Sequence, residues 1–185
     1  MIDPFSAVAW SSLFVASAEA SSALLGLFFV AMSLRPAEIE HHAVVRGRAR
    51  TNFQALAALI ASSLMGLAPQ PGAWLGIELI AIWAALSALV LSTSVRDLRR
   101  PGPAPSRIDG VVAVLGIGLS LLPITAGVSL LTGQGPGLYL LGPVVGLGYP
   151  SCVVNAWRVI FPPELARPTE HRAPARFGRA SLRPR

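Results

Sequence analysis

Five stretches of this chain run for about a membrane's thickness with at most one charged side chain each, and the connections between them carry nearly all the rest of the charge. A soluble core does not need such sorting. A hydrocarbon layer about 30 Å thick does, because a helix rising ~1.5 Å per residue needs ~20 apolar residues to cross it. The stretches fall at about 10–34, 50–69, 74–95, 110–131 and 138–160. The reading is an all-α, polytopic integral membrane bundle of five transmembrane helices over 1–161, followed by a basic tail over 162–185. Composition agrees: 13% of residues are charged, against ~25% in soluble domains.

The charges also orient the bundle. All fifteen basic residues are arginine. They lie at 35–50, 96–107, 158 and in the tail, whereas the connections APQPG (68–72) and TGQGPG (132–137) hold none. Every arginine therefore falls on one side of a five-span path. The positive-inside rule makes that side cytoplasmic, with the N-terminus outside and the C-terminus in the cytoplasm. Trp10, Trp74 and Tyr139 mark outer helix ends and Trp157 an inner one, as amphipathic rings prefer headgroup depth. Localisation follows as a multi-pass protein of the cell membrane, the inner membrane of a bacterium. A basic balance of +6 is thus explained by topology, and nucleic acid is not an expected partner.

Ala16-Ser17-Ala18 has the small-x-small pattern of a signal-peptide cleavage site. No basic residue precedes it and the apolar run continues to Leu34, so it reads as a span. The tail has five prolines and six arginines; it lacks apolar surface to offset ordering and is expected to be disordered. PGPAPS at 101–106 reads as a stiff linker. The likeness of SSALLGL (21–27) to SSLMGL (62–67) does not establish a repeat.

Two glutamates, Glu19 and Glu78, interrupt otherwise apolar spans. An ionisable group in the bilayer is costly and usually faces protein or water. In the first span Ser12, Ala16, Glu19, Ala23, Gly26 and Ser33 share one helical face, with Phe14, Leu24 and Phe28 opposite. Small faces suit close helix approach and bulky faces suit lipid, so Glu19 is expected to point into the bundle. In the third span Glu78, Ala81, Ala85, Ala88 and Ser92 share a face, away from Trp83. The simplest arrangement packs the first and third helices through these faces. Glu78 then lies ~8 Å below the outer surface, with Ser62, Ser63 and Thr125 at a similar level, and Glu19 lies deeper, ~15 Å in. The expectation is an intramembrane polar cluster of Glu19, Glu78, Ser62, Ser63 and Thr125. It reads either as hydrogen-bonding glue between helices or as a proton- or cation-responsive site.

A second polar group, on the cytoplasmic side, comprises Asn52, Gln54, Asn155 and Arg158. It reads as interfacial residues and interhelical hydrogen bonds, or as a ligand or partner site. Pro123, Pro143 and Pro150 are helix breakers, and Gly142-x-x-x-Gly146 permits tight packing. No metal or cofactor is expected: Cys152 is alone, His41 and His42 lack a spaced partner, and no intramembrane histidine is present for haem. Phosphate-loop, nucleophile-elbow and zinc-protease motifs are absent, so no enzyme is expected.

The runs SALLGLFFVAMSL (22–34), RARTNFQALAALIASSLMGLAP (48–69), LGIELI (75–80) and VVNAWRVI (153–160) resemble a group of small, uncharacterised five-span membrane proteins of high-GC bacteria. The resemblance covers about 14–160. It implies a non-enzymatic membrane protein, an accessory or interaction subunit whose partners are the lipid bilayer and another membrane protein or itself. Some similar sequences are labelled modulators of a membrane protease. The alternative is a small proton-coupled transporter or channel using the intramembrane glutamates. Glu19 is similar in placement to the first-helix glutamate of bacterial small multidrug exporters, but those have four spans, and no site is carried over.

Overall fold

The computed structural model describes residues 3–34, 43–98 and 107–161. The architecture is an all-helical bundle: α1 (Ser11–Ser33), α2 (Ala43–Leu67), α3 (Gly72–Leu98), α4 (Arg107–Thr132) and α5 (Leu141–Ile160). Short 3-10 turns, Ala7–Trp10 and Gly137–Leu140, lead into α1 and α5. Four helical segments are long and apolar enough to cross a membrane: Ala7–Ser33, Gly72–Ser92, Val114–Thr132 and Gly137–Ile160. α2 has the length, at 25 residues, but not the composition. It opens with Arg46, Arg48 and Arg50 and continues through Thr51, Asn52 and Gln54. It begins two turns before the expected start near residue 50, because the arginine-bearing segment is itself helical. The expectations for the tail, for 101–106 and for His41 and His42 lie outside the described residues.

The turns have local causes. Pro69 and Pro71 stop α2, and the Met65 carbonyl at its end accepts from Ala68 N–H at 3.2 Å and from Gln70 Nε2 at 2.9 Å. α4 ends at Gly133, whose φ of +66° is the left-handed stop that glycine allows. Gly137 N–H then donates to Ser129 Oγ at 2.9 Å, and Leu138 N–H donates to Pro4 O at 2.9 Å. The N-terminal residues are thereby tied to the α4–α5 turn. Trp10 packs edge-on against Tyr139, with ring centroids 4.8 Å apart, and its Nε1 donates to Asp3 O. Pro143 sits in the first turn of α5, where a missing N–H costs nothing; Pro123 and Pro150 lie inside their helices.

α2 is the hub. It packs on α1, α3 and α5, while α4 packs on α3 and α5. α1 and α2 are antiparallel along most of their length. At one end Phe14 lies over Gly66, so close that a Cβ there would sit 2.6 Å from the ring. At the other, Phe28 clusters with Val45, Ala49 and, from α5, Val159. α3 and α4 cross backbone to backbone at two glycines: a Cβ on Gly76 would stand 2.7 Å from the carbonyl of Gly127.

The facing of α1 and α3 corrects the sequence reading. Phe14 and Phe28 are each only 3% exposed, and Trp83 only 5%. Ser12, Ala16, Glu19, Ala23, Gly26 and Ser33 are exposed, as are Ala81, Ala85, Ala88 and Ser92. The expected packing of the first helix on the third does not occur; α2 packs on both instead. The physical reason is complementarity across a contact. The small residues that receive the two phenyl rings of α1 belong to α2: Gly66 lies under Phe14, and Ala49 packs against Phe28.

Candidate functional site

Each sequence-predicted polar residue has a definite place. Glu19, midway along α1, is exposed on the outer surface of the bundle, and its carboxyl has no hydrogen-bond partner among the described residues. Glu78 lies in the second turn of α3, half-buried, and accepts a 2.7 Å hydrogen bond from Gln70 Nε2 in the α2–α3 turn. Ser62 and Ser63 are buried on α2 and donate to Ala58 O and Leu59 O at 2.8 and 2.7 Å. Thr125 is exposed on α4, and its hydroxyl donates to Leu122 O within its own helix. Ser62 and Ser63 are adjacent on α2, and among the described residues no hydrogen bond joins Glu19, Glu78 or Thr125 to them or to one another.

Other residues do bridge the helices. Tyr149 of α5 reaches across to α1, where its hydroxyl donates to Ser17 O at 2.7 Å and lies 2.8 Å from Ser21 Oγ. Ser21 Oγ also lies 2.7 Å from Ser17 O, which it supplies with a second donor. Trp83 Nε1 donates to Ser62 Oγ at 2.9 Å, joining α3 to α2. Ser87 donates to Ser120 at 3.0 Å, joining α3 to α4. These are neutral hydroxyl, phenol and indole contacts of the kind that hold helices together in lipid. Between the Ser17–Tyr149 and Ser62–Trp83 contacts lies a cavity lined by Phe14, Ser17, Leu59, Ser62, Ser63 and Val144. Its volume of about 20 Å³ is enough for a water molecule. Neither glutamate lines it.

The members of the second polar group differ in burial. Asn52 is 3% exposed, and neither its amide nitrogen nor its oxygen has a partner. Gln54, Asn155 and Arg158 are half-buried. Asn52 stands in a buried seam of α2: Val45, Ala49, Asn52, Leu56, Leu59, Ser63 and Gly66 recur at alternating steps of four and three. That spacing was readable in the sequence and places an amide where an apolar residue would pack. Tyr149 and Trp83 had no comparable signal, because each finds its partner on another helix. Among the described residues, no group of three or more histidine, cysteine, aspartate or glutamate side chains is placed to hold a metal ion.

No protein-family model, curated protein or solved structure matches this chain. What the fold and its polar contacts show is a helical membrane protein whose interior carries hydrogen-bonding glue and no assembled catalytic or metal-binding group among the described residues.

Proposed function

We propose that this chain is a non-enzymatic, multi-pass protein of the bacterial inner membrane that acts as an accessory or interaction subunit. One observation carries the reading. The deepest carboxyl in a spanning helix, Glu19, is exposed and does not line the small cavity between Ser17 and Ser62. A transport site needs the reverse: an ionisable group turned inward onto a water-accessible path. An interaction subunit needs polar chemistry on its lipid-facing side. The resemblance to small five-span membrane proteins of high-GC bacteria belongs to the same proposal.

The topology proposed with it is five spans, N-terminus outside. α2 supports a fifth span by running beside α1 from the Phe28–Ala49 contact to the Phe14–Gly66 contact. Arg46, Arg48 and Arg50 at its start and Arg158 near the end of α5 cluster at one end of the bundle; Trp10 and Tyr139 pair at the other. Reporter fusions at Gln70 and Gln134 are expected to lie outside the cytoplasm, and fusions at His41 and Pro103 inside it. Function is tested by proton flux in proteoliposomes. The expected flux equals that of empty vesicles. Flux above that level, lost in Glu19→Gln, would replace this reading with a proton-coupled transporter.

A further inference from the structure

The outward face of α1 combines three features that a lipid-facing helix does not need. Glu19 places an unpartnered carboxyl there, midway along a segment apolar enough to span the membrane. Ser22, one turn further on, is exposed and also unpartnered. Beyond the first turn of each helix, every other serine and threonine with a described side chain makes a hydrogen bond, most of them back to a carbonyl of the preceding turn. Flanking the pair, Ala16, Ala23 and Gly26 are small and exposed, and a Cβ on Gly26 would meet nothing within 4 Å. Among the described residues α1 packs chiefly on α2 and, less closely, on α5, and this face is turned away from both.

We propose that this face is an interface with a second copy of the chain, in which the Glu19 carboxyl accepts a hydrogen bond from the hydroxyl of the partner subunit's Ser22, and reciprocally. The choice of a second copy follows from depth. All copies insert with one orientation, so a two-fold axis along the membrane normal brings two α1 helices together in parallel, each residue level with its counterpart. Glu19 and Ser22 are then offset by ~4.5 Å along the axis, within reach of a glutamate side chain. A second copy thus supplies, at the right depth, the donor that Glu19 lacks. The small residues on either side let the two backbones approach closely enough for the contact. This inference rests on the interaction-subunit reading and names its partner.

The test is disulfide trapping in native membranes. Cys152 is buried, so the wild-type chain is the unreactive control. Ala23→Cys and Gly26→Cys are expected to form a covalent dimer on mild oxidation, and Ala85→Cys, on the outward face of α3, is not. Dye-labelled Ala73→Cys protein in lipid vesicles, followed by energy transfer over a lipid-dilution series, then gives the affinity. Gly26→Leu is expected to weaken association roughly tenfold, since it holds the helices apart. Glu19→Leu and Ser22→Ala are each expected to weaken it about eightfold, and together no more than either alone, because each removes the same two reciprocal hydrogen bonds. Equal trapping at Ala85→Cys, or association unchanged by Gly26→Leu, would overturn the inference. Trapping to a protein of different mass, without a homodimer, would overturn the second copy but leave the interaction reading standing. That reading itself falls on the separate result of Glu19-dependent proton flux.

Discussion

The two faces of α1 share a helix, a membrane depth and a content of serine, yet they do opposite things. On the inner face Phe14, Ser17, Ser21 and Phe28 are buried, the phenyl rings against small residues of α2 and the hydroxyls against Tyr149. On the outer face Ala16, Glu19, Ser22, Ala23 and Gly26 are exposed, and the two polar groups among them are unpartnered. In lipid no hydrophobic force separates a phenyl ring from an alanine, since the tails are as apolar as either. Packing and hydrogen bonding decide which face turns inward. Here the decision was made by the receiving helix. With Gly66 and Ala49 of α2 opposite them, the phenyl rings of Phe14 and Phe28 gain more contacts by packing there than small side chains would.

The sharpest way to break that contrast is to empty one of these contacts. Phe14→Ala is expected to destabilise the bundle by about 3 kcal/mol, from the cavity and the lost dispersion contacts. The readout is thermal unfolding in mild detergent, using the buried thiol of Cys152 as the site a thiol-reactive dye reaches only on unfolding. An unchanged midpoint would mean that Phe14 is not seated over Gly66.

A change of opposite sign is expected one seam position from the Phe28 contact. Asn52→Leu replaces a buried amide with no partner by an apolar side chain of similar volume, and is expected to stabilise by about 1–2 kcal/mol. Destabilisation in the same assay would show that Asn52 holds a polar partner in the membrane. Tyr149→Phe keeps the ring and removes the hydroxyl that joins α5 to Ser17 and Ser21. Its expected cost is about 1 kcal/mol, within the range measured for interhelical hydrogen bonds in membranes. An effect as large as that of Phe14→Ala would make the hydroxyl contact, rather than aromatic packing, the main tie of α1.

The smallest effect is expected on the outer face. Glu19→Gln is expected to leave the unfolding midpoint of the monomer unchanged to within about 0.5 kcal/mol, because the side chain is exposed and makes no hydrogen bond among the described residues. A loss of more than 1 kcal/mol would place Glu19 inside the fold after all and erase the difference between the faces.

Much of the architecture was legible in the order of residues. Four spanning helices follow from runs of apolar residues, since length and transfer free energy are properties of a segment by itself. Helix ends followed from Pro69, Pro71 and Gly133, whose backbone preferences are local. Even the buried seam of α2, with Asn52 in it, is written in the alternating three- and four-residue spacing. Which face of α1 or α3 meets protein was not legible, and a rule that small faces pack inward pointed the wrong way. A facing is a property of a pair: Phe14 is buried because Gly66 lies opposite it, fifty-two positions away in the chain. The same holds for the polar residues. Glu19 and Glu78 look equivalent in sequence, each a lone carboxyl in an apolar run. Only the tertiary structure gave Glu78 a hydrogen bond from Gln70 and turned Glu19 outward, because a side chain's partner depends on which helix is beside it, and that is settled by packing.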